Sequence, residues 1–464
     1  MFKRKIEENL LLWKEKNNRK PLIIRGARQT GKTTLVRNLS KLFQGFVELN
    51  LEKDDAKKLF SEVKNAKDIL KDIELFVNKK IIPSKTLLFI DEIQNSAEAI
   101  KSLRYFYEEV PELHIISAGS LLEVRMKKEG WSFPVGRVEF LYLYPTTFEE
   151  FLNALGENNL LEYLGKYRPN EPLSEVIENK LFGLLSDYMI IGGMPEVIKE
   201  YLKSKDLITI KKCHDDLILS FKEDFVKYAK HSEVEYLKLL WDKIPFETGK
   251  RIKYSKLGGE HNSSRSISNA FDILHEAMLV ERIYPTTSIS LPLVLKFKAS
   301  PKAMFLDIGL CAHVLNLKKE QIKEKLINPS YGGGLFEEFC AQEFMALNFY
   351  DRNELYFWMR EEKGASSEVD FILNIEGNLV PVEVKSSTQG SLKSLHQFLY
   401  RSNQKTAIRV YSGKLKYEQM SVTLPNGIEL NYNLLSIPFF ILYRIKELFL
   451  QAVNVPHNKV APQG

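Results

Sequence analysis

Cysteine is scarce: the 464 residues hold only Cys213, Cys311 and Cys340. No two of them stand at a Cys-x-x-Cys spacing, which removes a disulfide framework and a cysteine zinc site from consideration. Excess charge of one sign is also missing, with 66 Lys and Arg against 60 Asp and Glu and a formal net of +6. A polyanion partner must therefore be argued from local charge. The apolar stretch 434–443 is interrupted by Pro438 and too short to span a bilayer. The opening residues, Met-Phe-Lys-Arg-Lys-Ile-Glu-Glu, lack the apolar centre of a signal peptide. These absences point to a reduced, cytoplasmic protein with no membrane partner. What remains is folding material, 44% hydrophobic, in a length that suggests about three domains.

Residues 26–34 read Gly-Ala-Arg-Gln-Thr-Gly-Lys-Thr-Thr and fit G-x-x-x-x-G-K-[ST], the loop that wraps nucleotide phosphates. Gly26 and Gly31 allow backbone angles that turn successive N–H groups inward on an anion. Lys32 brings a cation to the β- and γ-phosphates of ATP, and the Thr33 hydroxyl can ligate Mg²⁺. The backbone of Ala27, Arg28, Gln29, Thr30 and Thr34 completes the cradle. Context supports the motif, because the apolar run 21–25 reads as a strand. After the loop, Leu35, Leu39 and Leu42 recur on one helical face.

A second element has the matching chemistry. Residues 87–92, Leu-Leu-Phe-Ile-Asp-Glu, form an apolar strand that ends in two carboxylates, at the end where parallel sheets bind ligands. Asp91 would hold Mg²⁺ and Glu92 would activate the attacking water. Strands expected at 22–25, 46–50, 86–91, 114–118 and 138–142 are separated by crossover lengths, which predicts a parallel α/β sheet. Ser117 and Ser120, at the end of the fourth strand, are candidates to sense the γ-phosphate; a plain strand-to-loop exit explains them equally well. Arg137, in the turn Phe133-Pro-Val-Gly-Arg137, could offset transition-state charge in its own or a neighbouring subunit. A structural ion pair is the alternative.

Between 253 and 274 the pattern becomes helix–turn–helix. Ser263 or Ser264 caps a second helix whose Ile267, Ala270, Phe271 and Leu274 face inward, leaving Arg265, Ser266 and Asn269 outward. Strands expected near 279–284 and 293–298 would make a wing. Residues 251–302 hold eight Lys and Arg against four Asp and Glu. DNA contact through Arg265 and Asn269 and a protein-binding winged helix both fit.

Further on, Glu368–Ile375 and Leu379–Lys385 read as a hairpin turning at Gly377-Asn378. That register would pair Ile372 with Glu383 and Asp370 with Lys385, gathering Asp370, Glu383 and Lys385 on one face. Val369, Phe371, Val382 and Val384 would then point into the core. With Glu337 from the helix just upstream, these oxygens could take a second Mg²⁺ or Mn²⁺. An ordinary charge-paired hairpin would look the same.

The strings Arg25–Thr34, Phe89-Ile-Asp-Glu-Ile-Gln94, Ser117-Ala-Gly-Ser120, Phe133–Arg137 and Gly192-Gly-Met-Pro-Glu196 resemble those of a large prokaryotic family of AAA-type ATPases. In that family a C-terminal domain of unknown function follows the ATPase. Its marks here are Phe305-Leu-Asp-Ile-Gly-Leu310, Gly334-Leu-Phe-Glu337, Glu368-Val-Asp-Phe371 and Val382-Glu-Val-Lys-Ser386. The resemblance implies an additional-strand P-loop ATPase domain over 1–205 and a helical, winged-helix-like domain over 206–330. It also implies an α/β part similar to PD-(D/E)XK nucleases over 331–430 and a tail from 431 to 464. The nuclease-like pattern falls on Glu337, Asp370, Glu383 and Lys385. One departure is that Gln397 and Tyr400 stand three apart, where several nuclease relatives carry a Gln and a Tyr one helical turn further on. The expected protein is thus an ATP-driven switch or remodeller with DNA as partner, a protein partner and an oligomer being open. A signalling ATPase with an inert C-terminal module and an ATP-gated nuclease are the alternatives.

Overall fold

The computed structural model describes residues 2–61, 65–131, 133–259, 263–327, 333–352, 355–360, 367–386 and 391–454. Two sheets organise them. The first contains β1 (Leu22–Arg25), β2 (Gly45–Asn50), β3 (Thr86–Asp91), β4 (His114–Gly119) and β5 (Glu139–Tyr142), in the order β2-β3-β4-β1-β5. Every recorded pairing within it is parallel, as crossover-length connections require. Each strand lies within one residue of its sequence expectation. β4 stands between the phosphate-loop strand and the acidic strand, which is the additional-strand arrangement. Helices cover both faces. Leu35, Val36 and Leu39 of the helix Lys32–Leu39 pack on Ile24 and Phe89, while Ile69, Ile73 and Leu103 pack on Ile23 and Ile90.

The second sheet has eight strands: β6 (Val280–Thr286), β7 (Lys302–Phe305), β8 (Tyr356–Met359), β9 (Glu368–Ile375), β10 (Asn378–Val384), β11 (Thr406–Tyr411), β12 (Lys416–Thr423) and β13 (Glu429–Pro438). Their order is β12-β13-β11-β10-β9-β8-β6-β7. This sheet crosses the boundary expected at 330/331, because β6 and β7 belong to it. Nor do 431–454 form a tail: β13 lies between β11 and β12, and Phe439–Leu442 are almost fully buried; residues 455–464 lie outside the described residues.

The expected wing does not form. β6 pairs with β7 at Val280–Ile283 and with β8 at Tyr284–Thr286, and 293–298 adds only an isolated bridge from Leu295 to Thr286. The helix–turn–helix pair is present as Tyr254–Gly258 and Ser264–Glu276, with the Ser263 hydroxyl accepting from the Ser266 N–H. Its connecting residues 260–262 lie outside the described residues.

The β9–β10 hairpin also differs from expectation. The two turn residues are Glu376 (φ 48°) and Gly377 (φ 79°), the left-handed pair that a tight type I′ turn demands. Ile375 therefore faces Asn378, and Ile372 faces Pro381 instead of Glu383. The slip keeps the alternation of faces, so Phe371, Val382 and Val384 do share one core. Val369 does not join them. An extra β9 residue opposite Tyr356–Trp358 turns it to the other face, beside Trp358 and Ile372.

Candidate functional site

At the end of β1 the chain passes through Gly26, where a Cβ would lie 2.3 Å from the Leu143 carbonyl oxygen. Gly31 then takes φ 97° and begins the helix Lys32–Leu39. Only glycine meets both conditions without strain. The loop between them closes on itself through Thr30 Oγ1, which donates to the Ala27 carbonyl at 2.9 Å. Lys32 is buried and its Nζ donates to the Gly26 and Ala27 carbonyls at 2.9 and 2.8 Å. Burial lowers its pKa to about 8, against the pull of Glu92 and Asp91.

Asp91 is placed by the last turn of β3 and accepts from Thr33 Oγ1 at 2.8 Å. Burial raises its pKa, and the Thr33 bond opposes the rise. Glu92 follows in a left-handed conformation (φ 55°), its carboxylate held by the Gln94 amide. Thr33, Asp91 and Lys32 therefore converge at the C-terminal edge of the sheet, as their motif spacing implies. Ser117 lies in β4 next to Ile23 and Ile90, on the face away from the Lys32–Leu39 helix. Three buried oxygens close by have no hydrogen-bond partner among the described residues: Ser117 Oγ, Ser120 Oγ and Gln94 Oε1. A glycine cradle, an exchangeable ammonium, a Thr–Asp pair and orphaned polar atoms fit a nucleotide with its Mg²⁺.

Arg137 is elsewhere. It pairs with Glu108 at 3.1 Å and is half exposed. Glu139 stands opposite Leu22, whereas the phosphate loop leaves the other end of the sheet, where Arg25 faces Tyr142. Arg137 therefore lies near the end of the sheet opposite the phosphate loop, engaged in the ion pair that its sequence context also allowed.

Several contacts that motif reading missed tie the loop to the rest of the chain. Arg28 forms an ion pair with Asp224, from the helix Leu207–Tyr228, and Gln29 donates to Ser220 on the same helix at 3.3 Å. Arg4 is buried between Glu150 and the Thr30 and Tyr144 carbonyls. Gly193 donates its N–H to Asp307 at 2.6 Å, and a Cβ on Gly192 would strike Asp307 Oδ1. That explains the Gly-Gly of one motif and the Asp-x-Gly of the other: they are two halves of one contact. Burial raises Asp307 to about 6 despite three N–H donors. Pro195 lies 3.6 Å from where a Cβ on Gly31 would stand, so this loop also touches the phosphate cradle.

The C-terminal carboxylates cluster, but around a lysine. Lys302 Nζ, with only 1% of its side chain exposed, lies 2.7 Å from Glu337, 2.9 Å from Glu368 and 3.5 Å from Asp370. Asp370 gives its other oxygen to the Val384 N–H at 2.8 Å, and Glu383 pairs with Lys385 at 2.7 Å. Burial and the Asp370 charge raise Glu337 and Glu383 to about 8. Among the described residues, no group of three His, Cys, Asp or Glu is arranged to hold a metal ion. The second divalent cation expected at Glu337, Asp370 and Glu383 thus has no support, because the hairpin spacing could not reveal a lysine arriving from β7.

Residues 18–152 match an AAA domain family, 183–321 and 332–427 two different families of domains of unknown function. The N-terminal part is an AAA-type P-loop ATPase domain. No curated protein matches the chain. Among solved structures, the chain is similar to the Walker-type ATPase Paby2304 of Pyrococcus abyssi, at 15% identity and TM-score 0.42, covering 68% of this chain and 96% of that one. PCH-2 of C. elegans aligns at 14% identity and TM-score 0.27, covering 45% and 65%. A structure of two coordinating Pif1 helicases on forked double-stranded DNA aligns at 16% and 0.21, covering 39% and 51%. No helix among the described residues is long and apolar enough to cross a membrane.

Proposed function

We propose that the protein is an ATP-driven switch or remodeller whose C-terminal half engages DNA. The observation that carries this reading is a pair of ties joining the ATPase domain to the rest of the chain, Arg28 to Asp224 and Gly193 to Asp307. Arg28 lies in the phosphate loop itself, and Gly193 stands two residues before Pro195, which packs against Gly31 of that loop. When bound, ATP supplies a transferable phosphoryl group whose charge Mg²⁺ neutralises. In this reading Lys32 leaves the Gly26 and Ala27 carbonyls for phosphate oxygens, Thr33 and Asp91 hold the cation, and Glu92 takes the proton of the attacking water. Arg28 exchanges Asp224 for phosphate, which frees the Leu207–Tyr228 helix. In this reading Arg137 serves a neighbouring subunit, and then the active form is an oligomer.

DNA is favoured as the partner by local charge. Arg265 and Asn269 are exposed on the helix Ser264–Glu276. Earlier in the chain, between the end of the helix His231–Glu247 and the short helix Tyr254–Gly258, lies a groove of about 530 Å³ lined by Lys243, Lys250, Arg251, Lys253 and Lys256, with Glu247 the carboxylate among its lining residues. Five cations along one groove suit a phosphate backbone. The rival reading, an inert nuclease-like part that binds protein, draws its support from Lys302, which stands where catalysis would need a metal. The test is ATPase rate and DNA affinity across a salt titration, for intact protein and Arg265→Ala. The reading expects DNA to change the rate, and the salt slope to become shallower by about one phosphate contact in the variant. Rates and affinities indifferent to DNA and to Arg265 would transfer the C-terminal half to protein recognition.

A further inference from the structure

We infer that Lys302 is the resident cation of the carboxylate cluster, so that this site takes no divalent metal while its ammonium is in place. The inference is independent of the DNA reading. Four carboxylates, Glu337, Glu368, Asp370 and Glu383, come together from one helix and two strands. Left alone, they would repel one another and invite a hard cation with oxygen ligands. Lys302 comes in from β7 and meets three of them with one nitrogen.

Its placement is built in at several points. The Lys302 Nζ also lies over the Phe357 ring, 5.3 Å from the centroid. Its backbone pairs with Ile283 in β6 and bridges to Arg251. Gly249 lets the chain pass so close that a Cβ there would be 3.3 Å from Glu337 Oε2. Oxygens a metal would need are already engaged: Glu337 Oε2 on Lys302, Asp370 Oδ2 on the Val384 N–H and Glu383 Oε1 on Lys385. Glu383 Oε2 is buried and has no partner among the described residues. It is an acceptor that could turn to a metal ion once the Lys302 ammonium is removed. Removing the Lys302 ammonium should therefore convert a closed ion cluster into a divalent-cation site.

The experiment uses the full chain, free of nucleotide, with Asp91→Asn in every protein to silence the ATPase cation position. Mn²⁺ binding is followed by the loss of the free-ion paramagnetic resonance signal. The Asp91→Asn protein should bind no Mn²⁺ at the cluster, so adding Asp370→Asn should change nothing. Adding Lys302→Met should create Mn²⁺ binding, and Asp370→Asn on top of it should abolish that binding. Mn²⁺ bound by the Lys302-intact protein and lost with Asp370→Asn would overturn the inference, since metal and ammonium would then coexist. So would a folded Lys302→Met protein that takes up no Mn²⁺. If Lys302→Met alone does not fold, Lys302→Met/Glu337→Gln removes one charge of each sign. Its recovery of folding would support the resident-cation role, and continued misfolding would overturn it.

Discussion

Lys32 in the phosphate loop and Lys302 in the second sheet are both buried ammonium groups near carboxylates, and their settings differ in kind. Lys32 is bonded to two backbone carbonyls, with Asp91 and Glu92 acting on it only through the field, and its pKa falls to about 8. Lys302 is paired directly with Glu337 and Glu368, and despite burial its pKa is pushed up by Glu337, Asp370 and Glu368. A carbonyl pair holds an ammonium weakly enough to surrender it to a phosphate. A three-carboxylate socket does not. Similar residues near similar residues thus give an exchangeable cation in one region and a fixed one in the other, and the difference lies in which oxygen each nitrogen touches.

The largest effect should come from the exchangeable side. Glu92→Gln should still bind ATP and hydrolyse it about 10²–10⁴-fold more slowly, the usual cost of a lost general base. Lys32→Ala should lose binding instead. Nucleotide affinity and single-turnover rates separate the two, and wild-type turnover by Glu92→Gln would show that another group takes the proton.

On the fixed side the cost appears in stability. Lys302→Met leaves buried carboxylates uncompensated and should cost about 3–5 kcal/mol by denaturant unfolding. The pH dependence has a defined sign. Glu337 and Glu383 have folded pKa values raised to about 8 from an ordinary 4.5, so the stability they contribute is full at low pH and is lost as pH rises towards 8. That loss should be shallower in Glu337→Gln. A protein whose urea midpoint rises between pH 5 and 8 because of this cluster would contradict the arrangement.

The first region was far more legible than the second. Its motifs are local: strand, glycine loop and acidic strand are each contiguous, and the order of parallel strands follows from crossover lengths. Lys32 and Thr33 could be placed because backbone geometry within nine residues does most of the positioning, and Asp91 because it ends a contiguous apolar strand. In the second region the decisive partners are remote. Lys302 is separated from Glu337 by 35 residues and from Asp370 by 68, and no periodicity links them. The turn there moved by one residue because Glu376 accepts a left-handed φ that its type disfavours. For Arg137 the Pro/Gly turn was clear, but the end of the sheet it occupies and its Glu108 partner were not. Asp224 offered no signal at all, being one acid on an amphipathic helix.

A smaller effect should separate coupling from chemistry. Asp224→Ala leaves Lys32 and Glu92 intact but unties Arg28 from the Leu207–Tyr228 helix. Basal hydrolysis should persist, while any change in rate caused by a C-terminal ligand such as DNA should shrink. Coupling free energies of this sort are typically about 1–3 kcal/mol. If the response to DNA survives intact, the Asp307–Gly193 contact carries the signal, and Asp307→Asn becomes the variant to measure.

The smallest effect tests the two lysines side by side. Above pH 8 the free protein should begin to lose the Lys32 proton, since its folded pKa is lowered to about 8. Triphosphate binding restores a partner for the charge and raises that pKa, so binding takes up a proton there. Apparent ATP affinity should therefore fall as pH rises through 8, by at most about tenfold per unit. Calorimetry in two buffers of different ionisation enthalpy would report the uptake directly, and Lys32→Arg should flatten the profile because guanidinium stays charged. Over the same range Lys302 should keep its proton, its pKa being displaced upward by its carboxylates. A flat affinity profile from pH 7 to 9.5 in the wild type would mean that Lys32 is already held by something stronger than two carbonyls, and the contrast between the two lysines would vanish.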